Sequence, residues 1–197
     1  LKKHYVVQEG AILINDVDIK NIQNKTLHKL ITFVPQDIFV FSDTIAHNIA
    51  LSEDIDYDRI KAVCEVSNAN KFIEKLPQKY DSLLNERGTI LSTGQRQLLA
   101  FARALYQKPE ILILDEATSN IDTESELLIQ DAVKKMMKHT TMVVIAHRLS
   151  TIQHSDQILV MHHGQIVEKG THDQLLKMKG LYNKLCQMQF HLHAEEK

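Results

Sequence analysis

The stretch ILILDE, residues 111–116, constrains this chain more than any other. Its apolar part runs without a polar break, follows Pro109 closely, stops at Asp115 and is too short for a helix of ordinary length. A run of that kind forms a strand buried on both faces. Such strands belong to parallel sheets covered by helices.

The flanking segments fit that frame. Residues 91–105, LSTGQRQLLAFARAL, open with small polar residues around Gly94 and then take helical spacing, with Leu98, Phe101, Ala102 and Leu105 on one face. Glu124–Lys138 repeats the pattern with Leu128, Ala132, Val133 and Met136, and Met142–Ala146 is short, β-branched and ends at His147. Strand, helix and strand in that order predict a parallel βαβ unit. Upstream, Ala11–Asn15 reads as a short strand followed by turn residues, and Leu30–Val34 as another, halted by Pro35. Asp37–Leu84 reads as a mostly helical subdomain, in which Ile60, Val63, Cys64 and Ser67 share one face behind an Asp56 or Asp58 cap. Gln157–Met161 and Gln165–Glu168 flank a His-His-Gly turn as a hairpin, and Thr171–Gln189 forms a terminal helix pair. The closing HLHAEEK reads as a frayed tail whose histidines are solvated. The expected fold is therefore α/β, a mostly parallel sheet with a helical subdomain and an antiparallel edge. Residues 1–36 and 86–197 form the core subdomain and 37–85 the helical one.

Composition narrows the function classes. The 197 residues are 44% hydrophobic and 24% charged with a net charge of -2, so no bulk electrostatic term draws the chain to nucleic acid or an anionic membrane. No apolar run approaches the roughly 20 residues of a transmembrane helix, and no signal peptide is expected. Cys64 and Cys186 lie far apart, which fits a reduced compartment.

Three features carry candidate chemistry. Asp115-Glu116 ends the buried strand, and open α/β sheets bind ligands at that edge. There Asp115 suits a magnesium ion and Glu116 the orientation of a nucleophilic water, although such a pair also simply ends strands. His147, at the end of a second strand, is placed to contact a phosphate oxygen or to cap a helix. Ser92 or Thr93 caps the helix of residues 91–105, Gly94 permits close backbone approach, and the positive helix end accepts a phosphate. A capped helix with no ligand explains the same residues when taken alone.

Taken together, these motifs resemble the ATP-binding cassette family over nearly the whole chain. LSTGQ (91–95) resembles the signature motif with Thr93 in place of the commoner glycine, ILILDE resembles Walker B, and SNID (119–122) resembles the D-loop. His147 matches the switch histidine, and Gln36 in FVPQD the Q-loop glutamine. The resemblance implies a P-loop NTPase-like fold, ATP with Mg2+ and hydrolysis of ATP. It implies Glu116 as catalytic base and His147 at the γ-phosphate. Asp115 and Gln36 would stand at the metal. Ser92, Gly94 and Gln95 would face ATP bound by a second cassette in a head-to-tail dimer, and Asp122 would serve communication between cassettes. FVPQDIFVFSDTIAHNIAL (33–51) and NERGTILSTGQRQ (85–97) resemble the exporter branch, which implies transmembrane domains as partners, a place at the cytoplasmic face of the membrane and no nucleic acid. Phe39 and Phe41 are candidates for the transmembrane contact, with packing inside the helical subdomain as the alternative. Thr93 and the SNID loop also resemble the member of heterodimeric exporters that keeps the catalytic glutamate.

No GxxxxGK[ST] loop occurs in the chain. The resemblance places that Walker A loop immediately before Leu1, so the sequence is expected to be incomplete at its N-terminus and inactive as an ATPase alone. A soluble cassette ATPase without a transport role, and a non-catalytic interaction fragment lacking Walker A, are the rival readings.

Overall fold

The computed structural model describes residues 1–3, 5–85, 90–116, 121–146 and 149–195, with side chains for all of these except Glu116, Ser150 and 189–195. The chain divides into two compact units, Leu1–Ile145 and Ala146–Lys197.

The first unit opens with β1 (Leu13–Ile14) and β2 (Val17–Asp18), an antiparallel pair in which Leu13 faces Asp18 and Ile14 faces Val17. Asn15 and Asp16 join them with φ of 47° and 64°. Positive φ at both turn residues is what a two-residue hairpin of this hand requires, and Asn and Asp tolerate it. The expected strand at Ala11–Asn15 is thus one arm of a hairpin. A 3-10 turn, Ile19–Asn21, leads to α1 (Asn24–Leu30) and then β3 (Ile31–Val34).

Three helices follow: α2 (Ile45–Ala50), α3 (Tyr57–Ser67) and α4 (Asn70–Ile73). Asp56 caps α3, its Oδ1 accepting the Arg59 N–H at 3.0 Å. Ile60, Cys64 and Ser67 are fully buried, as their shared face predicts. Of these, α2 and α3 pack directly on α5 (Thr93–Tyr106), α4 packs on α3, and α3 also packs on α6 (Thr123–Met137). Helix α5 buries Leu98, Leu99, Ala100, Phe101, Ala102, Ala104 and Tyr106. Burial on so many sides exceeds an amphipathic stripe and makes α5 the central helix of the unit.

Between α5 and α6 lies β4 (Ile111–Glu116), parallel to β3 with Ile31 level with Ile111 and Val34 level with Leu114. The alternation of β4 decides its surroundings. Leu112 and Leu114 join the core built on α2, α3, α5 and α6, while Ile111 and Ile113 pack on a second cluster of Ile19, Leu27 and Ile31. Both faces are covered, as the unbroken apolar run predicts. β5 (Thr141–Ala146) completes a sheet of order β3-β4-β5, so the strand before His147 does neighbour the strand before Asp115.

The second unit has its own core of Ile158, Val160, Leu175, Tyr182 and Cys186. It comprises α7 (Leu149–Ile152), the antiparallel hairpin β6 (Ile158–His162) and β7 (Gln165–Gly170), α8 (His172–Met178) and α9 (Leu181–Glu195). The Glu168 carboxylate reaches from β7 to the first turn of α9, accepting the backbone N–H of Leu181 and, at 3.0 Å, that of Tyr182. An acidic group at a helix N-terminus satisfies orphan donors and complements the helix dipole. The backbone of α9 runs on to Glu195, so most of the segment expected to fray is helical. Leu, Ala and Glu in that stretch are good helix formers.

Candidate functional site

The site residues stand in two groups, each placed by local chemistry. The first lies at the C-terminal edge of the β3-β4 pair. Beyond Val34 and Leu114, the last residues in register, the chains continue to Pro35-Gln36 and Asp115-Glu116. Pro35 lacks an N–H and ends the ladder. Gln36 is exposed and Asp115 half-buried. β4 thus presents Asp115 at the edge where parallel sheets take their ligands. Glu116 is the last residue of the strand, its side chain lying outside the described residues, as does His147 entirely.

The second group is the tip of α5. Ser92 is the N-cap: its Oγ accepts the Gln95 N–H at 3.2 Å, and the Ser92 N–H donates to Gln95 Oε1 at 3.0 Å. This reciprocal capping box fixes both side chains that the sequence singled out. Thr93 is therefore the first helical residue and not the cap. Arg96 folds back over the same turn, donating to the Leu91 carbonyl and to Thr93 Oγ1, each at 3.1 Å. The unusual Thr93 gives that guanidinium an acceptor a glycine would lack.

Asp122 stands beside this tip because α6 starts there. It is the N-cap of α6, accepting the Ser125 N–H at 2.9 Å. The Ser125 backbone N–H, then its hydroxyl, hold the Asp122 carboxyl below the usual carboxylate range. The two helix starts meet at Gly94, where a Cβ would lie 2.4 Å from Ser125 Cβ and 2.7 Å from its Oγ, with Ile121 Cγ2 at 3.4 Å. The structure therefore brings Ser92, Gly94, Gln95 and Asp122 to one place and Gln36, Asp115 and Glu116 to another. Ser119 and Asn120 lie outside the described residues.

Sequence reasoning missed three participants. Ser125 sets how closely α6 approaches α5, and that approach has no periodic signal. Asn48 and Arg103 hold the Phe39–Phe41 segment, whose rings meet edge to face at 4.8 Å and are 61% and 45% exposed. The Arg103 signal was available: it is a lone charge within LLAFARAL, a run otherwise apolar.

Among the described residues, no group of three or more His, Cys, Asp or Glu side chains is gathered around a metal position. One half-buried carboxylate beside an exposed glutamine fits Mg2+, which keeps waters and takes substrate phosphates as its other ligands. A shallow cavity of about 470 Å³ lies elsewhere, lined by His28, Lys29, Leu30, Gln107, Lys108 and Glu110 at the N-terminal edge of β3 and β4. Parallel sheets do not build their sites at that edge, and its lining residues are almost all exposed.

The architecture is that of an α/β domain with a helical subdomain and a candidate ligand edge at the ends of β3 and β4. The family model described as ABC transporter matches residues 1–119. The chain is 46% identical over 191 residues to the ABC transporter ATP-binding protein YfiC of Bacillus subtilis, covering 96% of this chain and 32% of that protein. It is 48% identical over 190 residues to an ATP-dependent lipid A-core flippase of Haemophilus influenzae, covering 95% and 32%. Among solved structures, a bacterial Atm1-family ABC exporter with ATP bound matches with a TM-score of 0.85 at 40% identity, over 96% of this chain and 33% of that one. The chain belongs to the ABC transporter family. It spans about a third of the length of the curated relatives it matches. Among the described residues, no helix is long and apolar enough to cross a membrane.

Proposed function

We propose that this chain is part of the ATP-hydrolysing cassette of an exporter, inactive by itself, paired head to tail with a second cassette and fixed to transmembrane domains at the cytoplasmic face of a membrane. The observation that carries the reading is the parallel β3-β4 pair, whose last paired residues, Val34 and Leu114, lead directly into Pro35-Gln36 and Asp115-Glu116. The greater length of the relatives supports a place in a longer protein, and the exporter with ATP bound supports the ligand. By this reading residues 37–85 form the helical subdomain, and 1–36 with 86–197 belong to the core.

Each residue then has a physical task. Asp115 and Gln36 would hold Mg2+, which would supply charge neutralisation to the ATP phosphates. By this reading Glu116 accepts the proton of the attacking water and His147 donates to the γ-phosphate region. Ser92, Gly94 and Gln95, presented at the α5 tip, address ATP held by the partner cassette, using helix N–H groups and the positive helix end. Asp122, the cap of α6, serves communication between the two cassettes. Phe39 and Phe41, exposed at the segment after Gln36, form the transmembrane contact.

In the full-length protein, Glu116→Gln should lower steady-state ATP hydrolysis about a hundredfold or more, the usual scale for a lost general base. ATP-dependent pairing of the cassettes should persist. Undiminished hydrolysis would reject the assignment of Glu116.

A further inference from the structure

We infer that Arg103 is a positioning residue that ties the exposed Phe39–Phe41 edge to helix α5, so that displacement of that edge and engagement of the Ser92 tip move together. The inference rests on the proposed reading of that edge and tip as contact surfaces.

The geometry is specific. Arg103 Nε donates to the Asn48 carbonyl and Nη1 to the Phe39 carbonyl, each at 2.8 Å, and Nη2 donates to Asn48 Oδ1 at 3.2 Å. Its guanidinium carbon lies 5.7 Å from the centre of the Phe41 ring. Asn48, fully buried on α2, continues the grip. Its Oδ1 accepts the Phe41 N–H at 2.9 Å, and its Nδ2 donates to the carbonyls of Phe41 and Thr44 at 3.0 Å and of Asp43 at 3.4 Å. The backbone of the exposed aromatic edge is thus held from α5 and α2 together.

Arginine suits this place because one planar fork reaches three acceptors on two segments, which a lysine ammonium cannot do in fixed geometry. Burial lowers the Arg103 pKa, yet a guanidinium remains charged. Its bonded acceptors here are two carbonyls and an amide oxygen, so the desolvated charge is offset by the segment it orders. Release of the segment would deprive that charge of the Phe39 carbonyl and leave one guanidinium donor unpaired, which makes partial loosening costly. A regular helix then carries the constraint along α5, about 1.5 Å per residue, to the Ser92 cap.

Hydrogen–deuterium exchange on the full-length protein, with and without AMP-PNP and Mg2+, tests this in peptides covering 37–48 and 91–97. With Arg103 in place the analogue should slow exchange in both, by about threefold or more at 37–48. Arg103→Lys should keep the response at 91–97 and lose that at 37–48, with Arg103→Gln used where the lysine variant does not fold. A response at 37–48 that survives the substitution overturns the inference. Loss of both responses overturns it too, since Arg103 would then serve the fold alone. Protection at 91–97 without any response at 37–48 in the unsubstituted protein overturns it with no variant needed and leaves the proposed function standing. No protection at 91–97 in that protein rejects the proposed function, and this inference with it.

Discussion

At Gly94 the competing terms can be weighed. Replacing glycine by alanine inside a helix ordinarily gains about 0.8–1.0 kcal/mol of propensity. Here the new Cβ would stand 2.4 Å from Ser125 Cβ, an atom fixed to the α6 backbone and unable to swing aside. Overpacking of that kind costs about 1–3 kcal/mol or more, so the clash wins and Gly94→Ala should lower stability. Both crowded atoms of Ser125 belong to its side chain, so Ser125→Gly should remove most of the cost. A double-mutant cycle by denaturant unfolding checks this, with an expected coupling of about 1 kcal/mol or more between the two positions. Additive effects would refute the close approach. The sequence marked Gly94 as a residue that lets backbone come near a ligand. The neighbour the structure reveals is another helix of the same chain, and nothing in the spacing of either helix predicts their separation.

Among elements, those set by local pattern were legible and those set by distant partners were not. The run ILIL specified β4, and the apolar spacing of α5 and α6 specified their inward faces. The end of α3 shows the limit. Asn68 closes it with φ of 60° and sends its side chain to the Leu128 carbonyl at 2.8 Å and to Asp131 at 2.9 Å, while Lys135 donates to its oxygen at 2.8 Å. An Asn in a left-handed cap is readable from sequence, but its partners on α6 are not. The start of α6 is different, because its cap is local and titrates. The Asp122 carboxyl is held below its ordinary value of 3.8 by the Ser125 N–H and hydroxyl. A group depressed in the folded state contributes fully above its unfolded value and loses that contribution as pH falls through the folded one. Amide exchange at Ser125 and Glu126 should therefore stay slow down to about pH 4 and quicken below it, beyond the intrinsic pH dependence of exchange. Asp122→Asn, which caps comparably without titrating, should flatten the change. Glu124 and Glu126 share the turn, so the difference between the two proteins is the quantity to compare. An equal pH response in both would remove Asp122 as the source.

For the molecule as a whole, the fold class and the order of motifs followed from sequence, while the division into units and the polar ties did not. Hydrophobic pattern states which face is buried. It does not say which of several cores receives that face. The two cysteines illustrate the point, since nothing in their spacing distinguishes them, yet Cys64 lies in the core of the first unit and Cys186 in that of the second. Burial pushes the Cys64 thiol up to about 12 and also raises Cys186. At pH 8 each thiol is therefore protonated as well as inaccessible, and alkylation has to wait for its core to open. Iodoacetamide labelling of the folded protein should be slow at both positions and rapid in denaturant. Leu175 is fully buried beside Cys186 in the second core, so Leu175→Ala should cost about 2–5 kcal/mol there. When opening precedes labelling in a fast equilibrium, even the low end of that range multiplies the open population by more than about tenfold. The Cys186 labelling rate should rise by at least that factor. A rate unchanged by Leu175→Ala would mean that the thiol is reached by a motion smaller than opening of the core around it.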